Sequence, residues 1–268
     1  MPDTSVSARD RAEIERSAAE ARKTVLTEID RAELGRYLNP DRDSPYGLEY
    51  AFSLLGEIRG MRVLDLGCGT GGNVVPLIEC GALVVGIDIS PELIELARQR
   101  LRNADLEAHL KVASAYDTGL ESGSVDIILC INLVHHLEIK RLRDEMLRIL
   151  VKGGVIILKE PVRFSKTYGF LRGLFPARKD ISKFEHPMTR EEIAMFTEPF
   201  EVQRMRYFRL PWVPLVSRIL PSLLRTVWKA DSWILRHCLA TRHYATGVVM
   251  RLVKRDSSVA LAACRTQP

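Results

Sequence analysis

The sequence predicts a doubly wound α/β fold, in which helices cover both faces of a mostly parallel sheet. Four short apolar runs have the composition of strands buried on both faces: MRVLDLG (61–67), ALVVGID (82–88), SVDIILCIN (124–132) and GVIILKE (154–160). Helical stretches separate these runs, and strand–helix–strand units of this kind form right-handed crossovers within one sheet. With 268 residues, 46% of them hydrophobic, the chain can bury such a core.

The segments around these strands carry apolar residues at helical spacing. The predicted helices cover residues 8–36, 46–58, 73–81, 90–103 and 138–153. Ser90 and Pro91 have the residue types of an N-cap and a first helical position. Gly153 is expected to end the fifth helix.

The pattern becomes less regular after Pro161. A helix capped by Thr189 and two late strands are expected, and between the strands a helical stretch, 209–240, is interrupted by prolines. We therefore predict an N-terminal helical segment (1–45), a sheet core (46–160) and a C-terminal part (161–268). The last part belongs to the same domain and holds loops, the last two strands and the helical insertion.

Composition excludes several classes of protein. The formal net charge is +5, and the five cysteines are scattered without CxxC spacing, which predicts a reducing compartment without disulfides or a zinc site. The six histidines show no metal-binding spacing, so no metal is expected. The charged N-terminus has no apolar signal region, and no eighteen apolar residues run together. We expect a soluble, cytoplasmic protein.

The turn after the first strand, VLDLGCGTGGN (63–73), combines an acidic residue with closely spaced glycines. A GxGxxG pattern alone is weak evidence, because dinucleotide sites share it. A carboxylate at Asp65 would repel a pyrophosphate but attract a cationic amine, such as the methionyl ammonium of S-adenosylmethionine. Asp88 ends the next strand and can accept hydrogen bonds from ribose hydroxyls in either ligand. A ligand-free turn and plain helix capping by the two acids are the alternatives.

Four segments in order resemble the successive motifs of class I S-adenosylmethionine-dependent methyltransferases of the type 11/12 kind. They are VLDLGCGTGGN, VVGIDIS, ASAYDTGLESGSVDIILCINLVHHL and LRILVKGGVIILKEP. The group that includes ubiquinone/menaquinone-biosynthesis and small-molecule O-methyltransferases is the most similar. The resemblance covers about residues 46–208 and the final strand pair. It implies a Rossmann-like, seven-stranded, mostly parallel sheet with N-terminal helices, a helical insertion before the last strand, and S-adenosyl-L-methionine as cofactor held by the core.

The resemblance also implies roles for individual residues. Asp65 and the glycine turn would hold the methionyl part, Asp88 the ribose and Ile89 the adenine. Ser114 stands where the family has Asp, so its hydroxyl can bond the adenine amine but without a charge. Cys68, a common residue in this turn, is interpreted as packing. The implied cofactor-binding residues are Tyr46, Asp65, Gly67, Cys68, Gly69, Gly71, Asp88, Ile89, Ser114, Ala115 and Asn132.

Methyl transfer to a weak nucleophile needs alignment and a base. In NLVHHL we expect His135 to be the base and His136 to pack under the following helix; purely structural roles for both are the alternative. Glu160, at the end of its strand, is expected to orient the histidine or bind the acceptor, or else to cap a loop. His186 lies in a segment expected to close over the acceptor and is a candidate acceptor-binding residue.

Residues 201–255 are strongly basic, with eleven Lys and Arg against Glu201 and Asp231, a local net charge of +9. Tryptophans and leucines are interleaved with these charges. Two interpretations stay open: an amphipathic lid over the acceptor pocket, or a peripheral membrane contact through 209–240 on anionic lipid. Both favour a hydrophobic acceptor.

We therefore predict methyl transfer to a hydrophobic small molecule, with oxygen as the preferred atom and a natural product, quinone or lipid-like molecule as the acceptor. An RNA methyltransferase is one alternative, suggested by the basic stretch. It is disfavoured because INLV replaces the Asn-Pro-Pro-Tyr type of motif found in many nucleic-acid N-methyltransferases. The second alternative is a non-catalytic binding protein that keeps the cofactor-binding fold. The acceptor, the methylated atom and the oligomeric state are left open by the sequence.

Overall fold

The computed structural model describes residues 8–26, 30–165, 186–213, 216 and 221–255. Seven strands are present there: β1 (Arg62–Leu66), β2 (Leu83–Asp88), β3 (His109–Val112), β4 (Val125–Ile131), β5 (Leu150–Pro161), β6 (Phe200–Phe208) and β7 (Gly247–Lys254). They form one sheet in the order β3-β2-β1-β4-β5-β7-β6. Only β7 runs antiparallel to its neighbours, β5 and β6. The predicted doubly wound, seven-stranded, mostly parallel sheet is confirmed.

Helices flank this sheet on both faces. The described α-helices are α1 (Ala8–Lys23), α2 (Arg31–Leu38), α3 (Gly47–Ser53), α4 (Val74–Glu79), α5 (Pro91–Asn103), α6 (Ile139–Ile149), α7 (Arg190–Thr197) and α8 (Leu224–His237). The Ser90 hydroxyl caps α5 by accepting a hydrogen bond from the Leu93 N–H at 3.3 Å. Thr189 and Glu192 form a reciprocal capping box on α7.

The sheet separates two apolar cores. Val63 and Leu129 face the core that contains α3, α4 and α5. Leu64 and Leu66 face the other core, which contains α6 and α7. Since side chains alternate along a strand, Asp65 points to the same side as Val63. The order of the strands reverses between β1 and β4, so the crevice for a ligand lies at their carboxyl ends.

Several predicted boundaries were wrong. The helix predicted over 8–36 is two helices, because Asp30 caps a new one by accepting a hydrogen bond from the Ala32 N–H at 2.8 Å. The helix predicted to reach Gly153 ends at Ile149 instead. Leu150 pairs with Val125 of β4, so the chain is already strand there.

Two further elements differ from expectation. The helix predicted over 46–58 covers Gly47–Ser53 and is followed by a turn in which Gly56 adopts a φ of +75°. Strand β3 was missed by the sequence patterns because it has four residues and lies at the edge of the sheet. The proposed division into 1–45, 46–160 and 161–268 stays a prediction.

A buried acid on α8 ties this helix to the start of the insertion before β7. Asp231 accepts hydrogen bonds from the Leu210 N–H at 2.9 Å and from the Trp212 indole N–H at 3.2 Å. In the part of the chain described here, no helix is both long enough and apolar enough to cross a lipid bilayer.

Candidate functional site

The turn between β1 and α4 is built from glycines in a conformation that other residues rarely adopt. Gly67, Gly69 and Gly71 have φ values of +76°, +51° and +76°. A Cβ atom on Gly67 would lie 3.0 Å from the Leu133 side chain, and one on Gly71 would lie 3.1 Å from the Ala97 Cβ atom. The turn is therefore pressed between α5 and the segment that follows β4.

Asp65 provides the test of whether this turn suits a cationic ligand. Its carboxylate is fully buried, and among the described residues neither oxygen has a hydrogen bond of regular geometry. Burial, with a further contribution from the charge of Asp88, raises the pKa of Asp65 to about 7, while hydrogen bonding to the Asn73 side chain acts in the opposite direction. A buried carboxylate with no cation beside it is costly. A ligand ammonium would compensate it and a pyrophosphate would not, so the methionyl end of S-adenosylmethionine fits this site.

Asp88 connects the glycine turn with the start of α5. Its two oxygens accept hydrogen bonds from the Gly69 and Ser90 N–H groups, both at 2.9 Å. Burial raises the pKa of Asp88, and these two hydrogen bonds oppose the rise. Each oxygen keeps a free lone pair for a ribose hydroxyl. Capping and ligand binding are thus compatible at this residue.

A cavity opens above the carboxyl ends of β1, β2 and β4. Seven of the eleven predicted cofactor residues line it: Gly67, Gly69, Asp88, Ile89, Ser114, Ala115 and Asn132. Asp65, Cys68 and Gly71 are not among its lining residues, although they form the strand end and turn at its base. The arrangement brings the predicted set together, and the ligand contacts of each residue stay predictions.

The remaining cofactor candidates have identifiable packing roles. Cys68 is buried in the core, donates its N–H to the Ile87 carbonyl at 2.9 Å, and has the pKa of its thiol raised by burial. Its interpretation as a packing residue agrees with these contacts. Tyr46 lies at the start of α3 with its ring 5.3 Å from that of Trp228. It is not among the described residues of the cavity, so its role in cofactor binding stays a prediction.

Helix α1 forms the outer wall of this cavity, which the sequence analysis did not anticipate. Its lining residues are Asp10, Glu13, Arg16, Ser17 and Glu20. Their spacing of three or four residues indicates that they share one face of the helix. The polar face of a solvated helix has the same spacing, so the spacing alone does not predict a cavity wall. Only the packing of α1 on α5 distinguishes the two cases.

A buried histidine–carboxylate pair lies beside the cavity, at the carboxyl ends of β4 and β5. The His135 Nδ1 atom is 2.7 Å from Glu160 Oε2. Glu160 Oε1 accepts hydrogen bonds from the N–H groups of Leu133 and Val134 at 2.8 and 2.9 Å. Both carboxylate oxygens of Glu160 therefore have hydrogen-bond partners within the protein. If His135 Nδ1 carries the proton of this contact, Nε2 is the basic nitrogen.

His136 lines the cavity as well as packing beneath it. Burial, assisted by His135 and opposed by Glu13, lowers the pKa of His136 to about 4. Its imidazole is therefore neutral at neutral pH. The expectation that it only packs under the following helix was incomplete.

His186 lies at the start of the segment that leads into α7. Its Nε2 atom is 2.7 Å from Glu192 Oε1, and its backbone N–H is 3.4 Å from the His135 carbonyl oxygen. Its side chain is 47% exposed. Residues 166–185, which precede His186, lie outside the described residues. The part of the chain that is described contains no group of three or more His, Cys, Asp or Glu residues arranged to hold a metal.

A second cavity lies at the carboxyl end of β5, between α8 and β7. Asn132 lines both cavities, and the second is completed by Gly47, Lys159, Glu160, Pro161, Phe208, Arg209, Trp228, Thr246, Gly247, Val248 and Val249. Asn132 has a φ of +55°, and its Oδ1 atom accepts a hydrogen bond from Lys159 Nζ at 2.9 Å. Asn132 therefore lies at the boundary between the two cavities.

Comparison with known proteins agrees with this geometry. Residues 64–158 match the family described as methyltransferase domain. A ubiquinone biosynthesis O-methyltransferase from Xanthomonas euvesicatoria pv. vesicatoria (strain 85-10) is 36% identical over 94 residues, which cover 35% of this chain and 39% of that protein. The chain thus matches well under half the length of this curated relative.

Solved structures share the whole fold at low identity. Geranyl diphosphate C-methyltransferase from Streptomyces coelicolor A3(2) has a TM-score of 0.60 at 18% identity, covering 92% of this chain and 98% of that one. Magnesium protoporphyrin IX methyltransferase from Synechocystis PCC 6803 has a TM-score of 0.57 at 15% identity, covering 92% and 100%. Both were crystallised with S-adenosylhomocysteine. Fold, matched domain and ordered motifs agree: residues 64–158 form a methyltransferase domain, and the described chain has the fold of S-adenosylmethionine-dependent methyltransferases.

Proposed function

We propose that this chain transfers a methyl group from S-adenosylmethionine to a hydrophobic small molecule, at an oxygen atom. The observation that carries the proposal is the fully buried carboxylate of Asp65 beside the glycine turn, whose charge no described Lys or Arg neutralises. The curated relative that matches residues of the same core is named as an O-methyltransferase of ubiquinone biosynthesis, which supports oxygen and a quinone-like or lipid-like acceptor.

Residues of this chain would hold the cofactor along the first cavity. Asp65 pairs with the ammonium group, Asp88 accepts hydrogen bonds from the ribose hydroxyls, and Ile89 packs on the adenine. Ser114 offers its hydroxyl to the adenine edge, although its oxygen already accepts a hydrogen bond from the Tyr116 N–H at 3.2 Å. When bound, the cofactor supplies an electrophilic methyl group on a sulfonium ion.

His135 and Glu160 carry the acid–base part of the proposal. His135 takes, at Nε2, the proton that the acceptor hydroxyl loses as the new oxygen–methyl bond forms. Glu160 holds the ring in one orientation, because its other oxygen is fixed by two backbone N–H groups. The neutral imidazole of His136 adds no positive charge to the cavity wall. His186 would contact the acceptor from the segment that precedes α7.

A peripheral membrane contact through 209–240 is the second part of the proposal. Trp233 and Leu239 are 57% and 66% exposed, in and just after α8. Arg225 and Lys229 are exposed on the same helix. Exposed aromatic residues next to basic ones are typical of helices that lie on anionic lipid, where a hydrophobic acceptor would also be found.

Calorimetry with S-adenosylhomocysteine tests the cofactor site. We expect the wild-type protein to bind, and Asp65→Asn to bind at least about tenfold more weakly, because a charge-assisted hydrogen bond is lost. Asp144→Asn is the matched control, since this carboxylate is exposed on α6. Absence of binding by the wild type, or equal binding by Asp65→Asn, would refute the proposal.

A further inference from the structure

The second cavity carries two basic side chains whose hydrogen-bond partners are neutral. Lys159 Nζ donates to the Asn132 side-chain oxygen at 2.9 Å, and Arg209 Nε donates to the Thr246 hydroxyl at 2.9 Å. Within the described ranges, neither residue forms a salt bridge. Glu160 also lines this cavity, but hydrogen bonds to His135 and to two backbone N–H groups occupy its carboxylate.

Both cations line the same cavity, and the charge of Arg209 influences the charge state of Lys159. Burial lowers the pKa of Lys159, the charge of Glu160 opposes that effect, and the charge of Arg209 lowers the pKa further. The acidic groups Glu160 and Asp231 offset part of the repulsion between these like charges. A bound anion would offset more of it, and it would also use the remaining N–H donors of both side chains.

The walls around these cations are apolar. Phe208 and Val249 are buried, and Trp228 projects from α8 with its ring against Tyr46. Gly47 lies against this wall, since a Cβ atom there would be at ordinary contact distance, 3.6 Å, from Lys159, Phe208 and Val249. The cavity thus combines an apolar body with a cationic rim.

We propose that this cavity is the acceptor site and that it selects an acceptor with an apolar body and an oxoanion, a carboxylate or a phosphate. Lys159 and Arg209 bind the oxoanion, the guanidinium with two parallel N–H donors and the ammonium as a point charge. Asn132, which lines both cavities, places the acceptor beside the methionyl end of the cofactor. This inference rests on the proposed methyl-transfer function.

Calorimetric titration of the full chain with three eight-carbon probes tests the inference: octyl phosphate, octanoate and octanol. We expect at least one of the two anions to bind about tenfold more tightly than octanol. The comparison between the two anions shows which headgroup is preferred. Lys159→Met and Arg209→Gln should each weaken binding of that anion about tenfold, and octanol binding should change less than twofold. Arg204→Gln, an exposed arginine of β6, is the matched control.

The outcomes separate this inference from the function it rests on. Equal binding of all three probes, or an anion preference that survives both substitutions, would overturn the oxoanion site even if S-adenosylhomocysteine binds normally. Failure of S-adenosylhomocysteine to bind, with the anion preference intact, would remove the proposed function instead. Titration of each variant with S-adenosylhomocysteine shows whether the protein is still folded around its first cavity.

Discussion

His135 Nδ1 lies 2.7 Å from Glu160 Oε2, although the two residues are 25 positions apart and follow or end different strands. The contact exists because β4 and β5 are parallel neighbours, which brings their carboxyl ends together. Glu160 is held by the backbone of the same turn that carries His135. The carboxylate and the ring therefore have one mutual orientation.

Glu160→Gln should lower kcat for methyl transfer about 10²- to 10⁴-fold and leave S-adenosylhomocysteine binding unchanged. The amide would present an N–H to His135 Nδ1, so the proton would move to Nε2 and remove the basic nitrogen. Transfer of labelled methyl groups into a total bacterial lipid and quinone extract measures the effect.

His135→Asn should cause a loss of the same size, and the double variant should be no slower than the single ones, because the pair acts as a unit. His109→Gln, on the exposed edge strand β3, is the control. Wild-type rates in His135→Asn would show that another group, or none, removes the proton.

Cofactor binding should release a proton from Asp65. Because burial raises the pKa of this acid to about 7, it is mostly protonated at pH 6, and pairing with an ammonium ionises it. Titration with S-adenosylhomocysteine at pH 6, in buffers of different ionisation enthalpy, should show about one proton released. Asp65→Asn should release none, and a release that persists in this variant would assign the proton to another group.

The same residue should make the unliganded protein less stable as the pH rises. The native protein holds the Asp65 proton more tightly than the unfolded chain, in which the pKa is 3.8. Stability should therefore fall between about pH 4 and pH 7, by on the order of 4 kcal/mol. Asp65→Asn should raise the midpoint of urea unfolding at pH 8, although it weakens cofactor binding. An unchanged midpoint would contradict this.

Two adjacent glycines offer a matched test of the turn. Gly71 has a φ of +76° and a Cβ atom there would lie 3.1 Å from the Ala97 Cβ atom, whereas Gly72 has open space around it and no positive φ. Gly71→Ala should lower the free energy of unfolding by about 1–3 kcal/mol. Gly72→Ala should be neutral or slightly stabilising. Urea unfolding measures the free energy of unfolding of both variants. Equal changes in the two variants would contradict the turn conformation described for Gly71.

Local patterns were sufficient to predict which edge of the sheet carries the candidate cofactor residues. Asp65, Asp88 and Asn132 each follow or end an apolar run, so their positions at one edge of the sheet follow from the strand pattern. The second cavity could not be predicted in this way. Lys159, Arg209 and Trp228 come from distant segments, and only the antiparallel placement of β7 and the docking of α8 bring them together. The place of helix α1 in the cavity wall was missed because its buried polar face has the spacing of a solvated one.

Membrane contact is testable on α8 without disturbing the site. Trp233 is exposed while Asp231, Ser232 and Leu235 of the same helix are buried, so its substitution leaves the packing face intact. Wild-type protein should float with vesicles that contain anionic lipid and float less with zwitterionic ones, because basic residues contribute to binding. Trp233→Ser combined with Leu239→Ser should lower recovery in the vesicle fraction several-fold.

The matched control removes an equally exposed apolar residue far from this surface. Leu83 is 61% exposed at the amino end of β2, whereas the cavities lie at the carboxyl ends of the strands. Leu83→Ser should therefore float like the wild type. If the tryptophan variant and the leucine control lose recovery equally, general hydrophobicity explains the binding. If wild-type protein stays in the soluble fraction with anionic vesicles, the amphipathic lid is the better account of 209–240, because its exposed tryptophan would then have no lipid to contact.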